Sequence, residues 1–357
     1  MALNGTGKPL RLGDLAEKLG VSTATVSLAL RDSPLIAKAT RARVKAYAED
    51  VGYIYNRSAA SLRTSQSNMI GVAVHDILNP YFAEVFRGLE ETLAEQNKTI
   101  LICNHRDMVE RQKNFIDTLL QHRVDGLILC ASVGTTDKDI NAIVRQGVPV
   151  TLVCRDVAGA DAPCVRGDDF VGSYRITKHL IEQGHRQIAM VGGRRESSAG
   201  RDRNRGWRSA LEDAGIDVDA QLDIPELMTQ DDGRSVAKQI VRAEPKPSAV
   251  VCFNDLVALG VMSAVRRLGI EPGPELAIVG YDDTDGTENR SPALTTVDNG
   301  AGTIGLKAAE LMLAQMAGEK PKNDLMLIEP VLRIRESAPR PGERLTPVGG
   351  LCANPEL

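Results

Sequence analysis

The apolar residues of the segment Leu12–Leu19 recur with helical spacing, at i, i+3, i+4 and i+7, and predict a first helix. Gly20 follows, where a helix end favours a residue that tolerates positive φ. Ser22 can then cap a second helix, which carries Val26 and Leu30 on one side. A helical hairpin inside an ordinary domain is the alternative. The position near the N-terminus and the capping favour a helix-turn-helix unit, with small residues at the start of its second helix.

A third helix is predicted from about Lys38 to Gly52, and basic residues lie on its outer face. Asn56 can next cap a short helix, Arg57–Arg63, whose only large apolar residue is Leu62. A lone helix of about two turns is marginal in water, so this one should form only when it is docked. The following residues are rich in Ser, Thr, Gln and Asn, which is typical of a linker.

From Met69 onward, short apolar runs alternate with amphipathic helices such as Phe82–Gln96 and Asp255–Leu268. Continuous apolar runs are typical of parallel strands that are covered on both faces. The alternation predicts an α/β fold, and the number of runs predicts two doubly wound parallel sheets in tandem. The runs are MIGVAVHD, TILICN, GLILCAS, PVTLVCR, IAMVGG, SAVVCFND and LAIVGYDD.

Charge divides the chain unevenly. Residues 1–65 carry ten Lys or Arg against five Asp or Glu, whereas the whole chain has a net charge of −4. This division is expected if the basic N-terminal part binds the phosphates of a nucleic acid and the acidic remainder of the chain does not. The six cysteines are scattered without CxxC spacing, which indicates reduced thiols. The sequence shows no membrane-length apolar run and no signal peptide at its N-terminus, so we expect a cytoplasmic protein.

Several separate motifs, in order along residues 8–337, resemble the lactose/galactose-repressor family of bacterial transcription regulators. The resemblance implies a three-helix helix-turn-helix head, a hinge helix that DNA orders, and two lobes like those of periplasmic sugar-binding proteins. The motifs are DLAEKLGVSTATVS, NRSAASLR, NPYFAEVFRGLEE, RVDGLIL, HLIEQGHRQIAMVGG, NDLVALGVM, VGYDD and SPALTTVD.

The resemblance implies how the head meets double-stranded DNA. The second helix lies in the major groove, and hinge helices of two subunits pair in the minor groove, where Leu62 wedges a base step and Ala59 allows close approach. Leu28 stands where a basic residue is frequent and suits a thymine methyl group. Ala37 stands where a capping residue is usual and cannot accept from an amide. The predicted DNA contacts are Arg11, Ser22, Thr23, Ala24, Ser27, Leu28, Tyr53, Asn56, Arg57, Ala59 and Leu62.

Ligands of such sheets bind beyond the carboxyl ends of the strands. Arg203, within a predicted loop at 193–205, and Asp282 match effector-contacting residues of the family. Asn254 is a better ligand candidate than Asp255, which can simply cap a helix. The predicted effector-binding residues are Tyr81, Phe82, Arg155, Arg203, Asn254 and Asp282.

Other residues near the strand ends have simpler explanations. Most arginines of the 193–205 loop are expected to be solvated, and Trp207 is expected to pack in a core. His75 and His105 end strands and could line the cleft, but the histidine spacing does not indicate a metal site. We expect no metal and no cofactor.

The predicted domains are a DNA-binding head (1–55), a hinge helix and linker (56–67), a first lobe (68–166 with 298–326), a second lobe (167–297 with 327–338) and a disordered tail (339–357). The first lobe, which contains the helix Phe82–Gln96, is the expected interface of a homodimer. C-terminal leucine heptads, which make some relatives tetramers, are absent from this sequence.

The resemblance favours a regulator, most simply a repressor, that binds a pseudo-palindromic operator under control of a sugar, polyol or sugar acid. Arg155 and the other strand-end arginines, with Cys154 and Gly167 where acids are usual, predict a positive cleft and favour an anionic effector. A sugar-binding transport protein would need an export signal and no DNA-binding head. An α/β enzyme would need a nucleophile, phosphate-binding or dinucleotide motif, none of which the sequence contains.

Leu62→Ala tests the hinge hypothesis, because unstacking a central base step needs an apolar wedge. The variant should lose affinity for its operator far more than affinity for non-specific DNA. Titrations of both DNAs at matched salt measure the difference. Operator binding equal to that of the wild type would show that Leu62 is not a wedge.

Overall fold

The computed structural model describes residues 10–54, 67–320 and 324–339. The chain divides into two compact units, residues 1–67 and 68–357. The predicted hinge helix, most of the linker and all but Pro339 of the predicted disordered tail lie outside the described residues. None of the described helices is long and apolar enough to cross a membrane.

The first unit is a three-helix head formed by α1 (Leu12–Leu19), α2 (Thr23–Leu30) and α3 (Lys38–Asp50). Gly20 ends α1 with φ of 64°, a left-handed conformation that costs glycine little. The hydroxyl of Ser22 then accepts from the amide of Thr25 at 3.0 Å and caps α2. The turn is therefore built as the sequence predicts. The buried core of the head is Leu15, Ala16, Val26, Ala29, Val44 and Ala48.

The second unit contains two parallel sheets and one antiparallel strand pair. The six-stranded sheet has the order β11-β5-β4-β3-β1-β2, and the four-stranded sheet has the order β7-β6-β8-β9. The strands are β1 Met69–Val74, β2 Thr99–Asn104, β3 Gly126–Leu129, β4 Val150–Val153, β5 Cys164–Gly167, β6 Ile188–Val191, β7 Asp223–Ile224, β8 Ala249–Cys252, β9 Ala277–Val279, β10 Thr296–Asp298, β11 Leu325–Ile328 and β12 Val331–Arg333.

Helices cover the faces of both sheets, so the predicted α/β fold with two lobes is confirmed. The helices are α4 Pro80–Glu95, α5 Val109–Gln121, α6 Asp137–Val144, α7 Asp169–Glu182, α8 Ser198–Asp213, α9 Gln230–Arg242, α10 Asp255–Arg267 and α11 Ala301–Met316, with a short 3₁₀ helix at Ala220–Leu222. Strands β10 and β12 pair antiparallel.

All seven predicted apolar runs form strands, in β1, β2, β3, β4, β6, β8 and β9. The other five strands were not predicted. Strands β7, β10 and β12 have only two or three residues, and β5 includes Arg166 and Gly167. Strand β11 is a four-residue apolar run that was missed, and its residues alternate between exposed and half-buried. The segment 193–205, predicted as a loop, is mostly helix α8, capped by Ser197. Its run of polar and charged residues hid the helical period.

The chain passes between the two sheets three times. Strand β5 of the first sheet leads into α7, β10 leads back through Asn299 and Gly300 to α11, and β11 continues into β12. Two of these crossings touch, because a Cβ on Gly167 would lie only 2.9 Å from the Cβ of Asn299. The missing side chain at Gly167 therefore lets the crossings pack together.

Helices α4 and α11 approach closely through small residues. A Cβ on Gly305 would meet the backbone oxygen of Val85 at 2.1 Å, whereas one on Gly302 would meet nothing nearer than the tip of Arg87 at 3.8 Å. We expect Gly305→Ala to destabilise the protein by about 1–3 kcal/mol, because backbone must move. Gly302→Ala on the same helix is the control and should be neutral or stabilising. Urea unfolding of both variants measures the difference, and equal stabilities would contradict the close packing.

Candidate functional site

The N-terminal end of α2 forms an exposed surface of the head. Thr23 and Ala24 are exposed and Leu28 is half-buried, so these side chains are available for a partner. Ser27 was predicted to contact DNA, but it is only 6% exposed. Its side chain lies on the core side of α2, beside Val26, and its contact with DNA stays a prediction. The first turn of α2 is therefore the accessible surface.

The other predicted DNA-contacting residues differ in their exposure and in their contacts within the head. Arg11 is exposed, and its amide donates to the carboxylate of Asp14 at 2.8 Å. Tyr53 is half-buried against the head core. Ala37 precedes α3 without a side-chain cap, as expected. Four predicted contacts lie outside the described residues: Asn56, Arg57, Ala59 and Leu62.

A narrow cavity of about 30 Å³ lies in the second unit between the two sheets. Its walls come from the carboxyl ends of the strands and the first turns of the helices that follow, as expected for open α/β sheets. All six predicted effector residues line it. The lining is His75, Asn79, Tyr81, Phe82, Cys154, Arg155, Gly167, Asp169, Ala199, Arg203, Phe253, Asn254, Asp282 and Asn299.

Arg203 is the most tightly held side chain of the cavity. Its Nε donates to Asp169 at 2.7 Å, and one terminal nitrogen donates to the carbonyl of Phe253 at 2.5 Å. The other terminal nitrogen lies 3.4 Å from Asp282, and the guanidinium stacks 3.6 Å from the centre of the Tyr281 ring. Arg203 is only 6% exposed. Burial opposes its charge, but Asp169 and Asp282 outweigh burial and raise the pKa of Arg203.

The carboxylates around Arg203 extend the network to the first sheet. Asp169, at the start of α7, also pairs with Arg166 of β5 at 3.4 Å, and Arg166 in turn contacts Asp202 of α8 at 2.8 Å. Burial raises the pKa of Asp169, against the opposing effect of Arg203. Burial likewise raises the pKa of Asp282 to about 8. These groups form one buried ion network that joins the two sheets.

Arg155 has a counter-ion that the sequence did not indicate. Asp107, which follows β2, accepts from both terminal nitrogens of Arg155, at 2.6 and 3.2 Å. Burial opposes ionisation of Asp107, but Arg155 outweighs it and lowers the pKa of Asp107 to about 2. The inference of a positive cleft is therefore wrong, because the cavity arginines Arg155 and Arg203 carry their own carboxylates.

Asn254, rather than Asp255, caps α10, and Asn254 also lines the cavity. Asn254 caps α10, since its side-chain oxygen accepts from the amide of Val257 at 2.9 Å. Its amide nitrogen donates to the carbonyl of Met228 at 3.0 Å, so Asn254 has one remaining N–H for a ligand. Asp255 is fully buried and accepts from Thr284 and Thr296 rather than capping.

The opposite wall of the cavity is aromatic and sulfur-rich. Tyr81 and Phe82 meet edge-to-face at 5.2 Å, and Phe82 meets His75 in the same way at 4.9 Å. The hydroxyl of Tyr81 donates to the thiol of Cys154 at 3.3 Å. Trp207, in contrast, is fully buried in the second lobe, as predicted.

Three further polar residues line the cavity, although the sequence did not indicate them: Asp169, Asn299 and Asn79. The side-chain oxygen of Asn299 is buried and has no hydrogen-bond partner among the described residues, while its amide nitrogen lies 3.3 Å from Asp282. Its position directly after the run SPALTTVD was the available signal. His105, unlike His75, is buried behind the wall and contacts the carbonyl of Cys130. No described group of three or more His, Cys, Asp or Glu is arranged to hold a metal ion.

Comparison with known proteins identifies the family. Residues 11–56 match the model "Bacterial regulatory proteins, lacI family", and residues 67–333 match "Periplasmic binding proteins and sugar binding domain of LacI family". The chain belongs to the lacI family. It is a DNA-binding transcription regulator and not an enzyme.

Relatives of this regulator are similar to it over almost their whole length. The HTH-type transcriptional repressor CytR of Escherichia coli (strain K12) is 33% identical over 91% of this chain and 95% of its own. The lac repressor dimer bound to operator and the anti-inducer ONPF has a TM-score of 0.79 at 28% identity, over 93% of this chain and 100% of that one. The transcriptional regulator CelR in complex with cellobiose has a TM-score of 0.70 at 27% identity, over 92% and 100%.

Asp255 makes the stability of the regulator depend on pH. Burial raises its pKa from 3.8 to about 7, so the folded state retains a proton that the unfolded state loses. Its contribution to stability is complete below pH 4 and is lost as the pH rises through 7. Relative to Asp255→Asn, the wild type should therefore lose stability between pH 4 and 7, by about 1.4 kcal/mol per pH unit.

Urea unfolding of both proteins at pH 5 and pH 8 tests this dependence. Asp282→Asn serves as the companion variant, because the raised pKa of Asp282 predicts the same sign over a wider range. A constant difference between wild type and Asp255→Asn at the two pH values would contradict the assignment.

Proposed function

We propose that this regulator represses transcription as a cytoplasmic homodimer on a pseudo-palindromic operator, and that a neutral polyhydroxylated molecule in the cavity controls operator binding. The charge balance of the cavity is the observation that supports a neutral effector. The exposed start of α2, with Thr23 and Ala24, supports base contact by the head. The dimeric, operator-bound state of the similar lac repressor supports the assembly.

The charge balance argues against an anionic effector. Three buried arginines, Arg155, Arg166 and Arg203, face the carboxylates of Asp107, Asp169 and Asp202 within ion-pair distance. Asp282 is a further carboxyl group, neutral or negative according to pH. The cavity thus has no excess positive charge in either state. A phosphate or carboxylate would have to displace one of these partners, which leaves a buried charge unpaired at high cost.

The polar groups that remain available fit hydroxyl groups. Asn299 offers a buried acceptor that has no partner among the described residues, and Asn254 offers one further N–H donor. A hydroxyl can satisfy both kinds of group, because it donates and accepts. The rings of Tyr81 and Phe82 supply an apolar wall on which the C–H face of a sugar can pack. Cellobiose in the similar regulator CelR is a ligand of this chemical kind.

We also propose the division of the second unit into a lobe of 68–166 with 298–326 and a lobe of 167–297 with 327–338. The cavity has walls from both sheets, and the chain crosses between them three times. An effector bound there can change the relation of the lobes at the dimer interface, which we assign to the first lobe and its helix α4. That change would reach the hinge segment 56–67, which joins the head to the first lobe.

Calorimetry with neutral sugars, polyols, sugar acids and sugar phosphates tests the effector class. We expect binding of a neutral compound and a decrease of at least about tenfold in affinity for Asn299→Leu, because a hydrogen bond to a buried acceptor is lost. Asn104→Leu is the matched control, since the side-chain oxygen of Asn104 likewise has no partner among the described residues but does not line the cavity. Binding confined to sugar acids or phosphates would overturn the neutral class.

A further inference from the structure

Two cysteines lie on neighbouring strands at the wall of the cavity. Cys130 follows β3 and Cys154 follows β4, and these strands are neighbours in the first sheet, with Leu129 opposite Leu152. Continuing this register puts Cys130 opposite Val153 and one residue from Cys154. Two strands at their usual separation then place the two cysteine Cα atoms about 5.8 Å apart. Disulfides span a Cα separation of this size.

The backbone turns the thiol of Cys154 toward Cys130. Consecutive residues of a regular strand face opposite sides of the sheet, which would separate the two thiols. Cys154 instead has φ of 62°, and the amide of Arg155 donates to the carbonyl of Val153 at 2.6 Å, closing a γ-turn. Both cysteines consequently pack in the same apolar cluster as Val153. This strained turn is uncommon for a residue other than glycine.

Polar and charged side chains surround the two thiols. The proximity of the two thiols lowers the pKa of Cys130 and raises that of Cys154. His75 lies 3.5 Å from the sulfur of Cys130, and Tyr81 donates to the sulfur of Cys154 at 3.3 Å. Arg155 adds a nearby positive charge. Cys130 is therefore the sulfur on which negative charge is best stabilised.

We propose that Cys130 and Cys154 are a peroxide-reactive dithiol that closes to a reversible disulfide in the cavity wall. The Cys130 thiolate attacks one peroxide oxygen, the O–O bond breaks, and the released hydroxide takes a proton to become water. The Cys130 sulfenic acid is then attacked by the Cys154 sulfur, which loses its proton, and the S–O bond breaks with release of a second water. Two thiols are oxidised by two electrons and one peroxide is reduced.

A small oxidant can reach the pair because Cys154 lines the cavity, although Cys130 itself is buried. Closing the disulfide removes the thiol that accepts from Tyr81, so the aromatic wall must change its contacts. The other three described cysteines differ from this pair, because burial raises the pKa of Cys103, Cys164 and Cys252.

Peptide mapping of the full chain after mild hydrogen peroxide treatment tests the proposal. Tryptic cleavage puts Cys130, Cys154 and Cys164 on separate peptides, so their linkage can be read directly by mass spectrometry. We expect a Cys130–Cys154 linked pair and the loss of two free thiols per chain, both reversed by a thiol reductant. Cys154→Ser should abolish the link, and Cys252→Ser, the matched control, should leave it unchanged.

Two results would overturn the proposal. One is that Cys130 and Cys154 both remain reduced at peroxide concentrations that oxidise the half-buried Cys103. The other is that Cys130 links to Cys164 instead of Cys154. Neither result depends on the identity of the effector or on DNA binding, so failure here is separate from failure of the proposed function.

Discussion

The buried pairing of Arg203 with Asp169 is the interaction on which the ligand-binding unit depends. Asp169 begins α7 directly after the first crossing, and it binds both Arg203 of α8 and Arg166 of β5. A buried charge that loses its partner is far costlier than an intact pair is beneficial. The network therefore determines how the start of α7, helix α8 and the last strand before the crossing are arranged, and with them the floor of the cavity.

This dependence explains what the sequence could and could not predict about the site. Arg203 and Asp282 were found because they lie at strand ends or match family motifs. Asp107 was missed because it is 48 residues from Arg155, and only the tertiary fold makes them partners. The predicted positive cleft failed for the same reason: strand-end arginines can be counted from sequence, but their counter-ions cannot.

The fold was more predictable than the local roles of its residues. The seven predicted runs form strands of three to six residues. The two-residue β7 leaves no run, Arg166 interrupts the buried β5, and the half-exposed apolar run of β11 was missed. The roles of adjacent polar residues were harder to predict from the sequence. Asn254 and Asp255 can each cap a helix, and the contacts of Thr284 and Thr296 with Asp255 decide between them. Ser27 illustrates the same limit in the head, where one helical step separates a core position from an exposed one.

The position of Asn299 suggests how occupancy of the cavity can act on the whole unit. Asn299 belongs to the second crossing and packs against Gly167 of the first. Its unpartnered oxygen is therefore an unsatisfied group located where the two sheets are connected rather than on either sheet alone. If the effector is the polyhydroxylated molecule that we propose, a hydroxyl that donates to this oxygen would stabilise one arrangement of the crossings. The difference between its affinities for the two arrangements would set how far the equilibrium between them shifts. A ligand that contacted only one lobe would have the same affinity for both arrangements. It could therefore bind without changing how the two lobes are arranged.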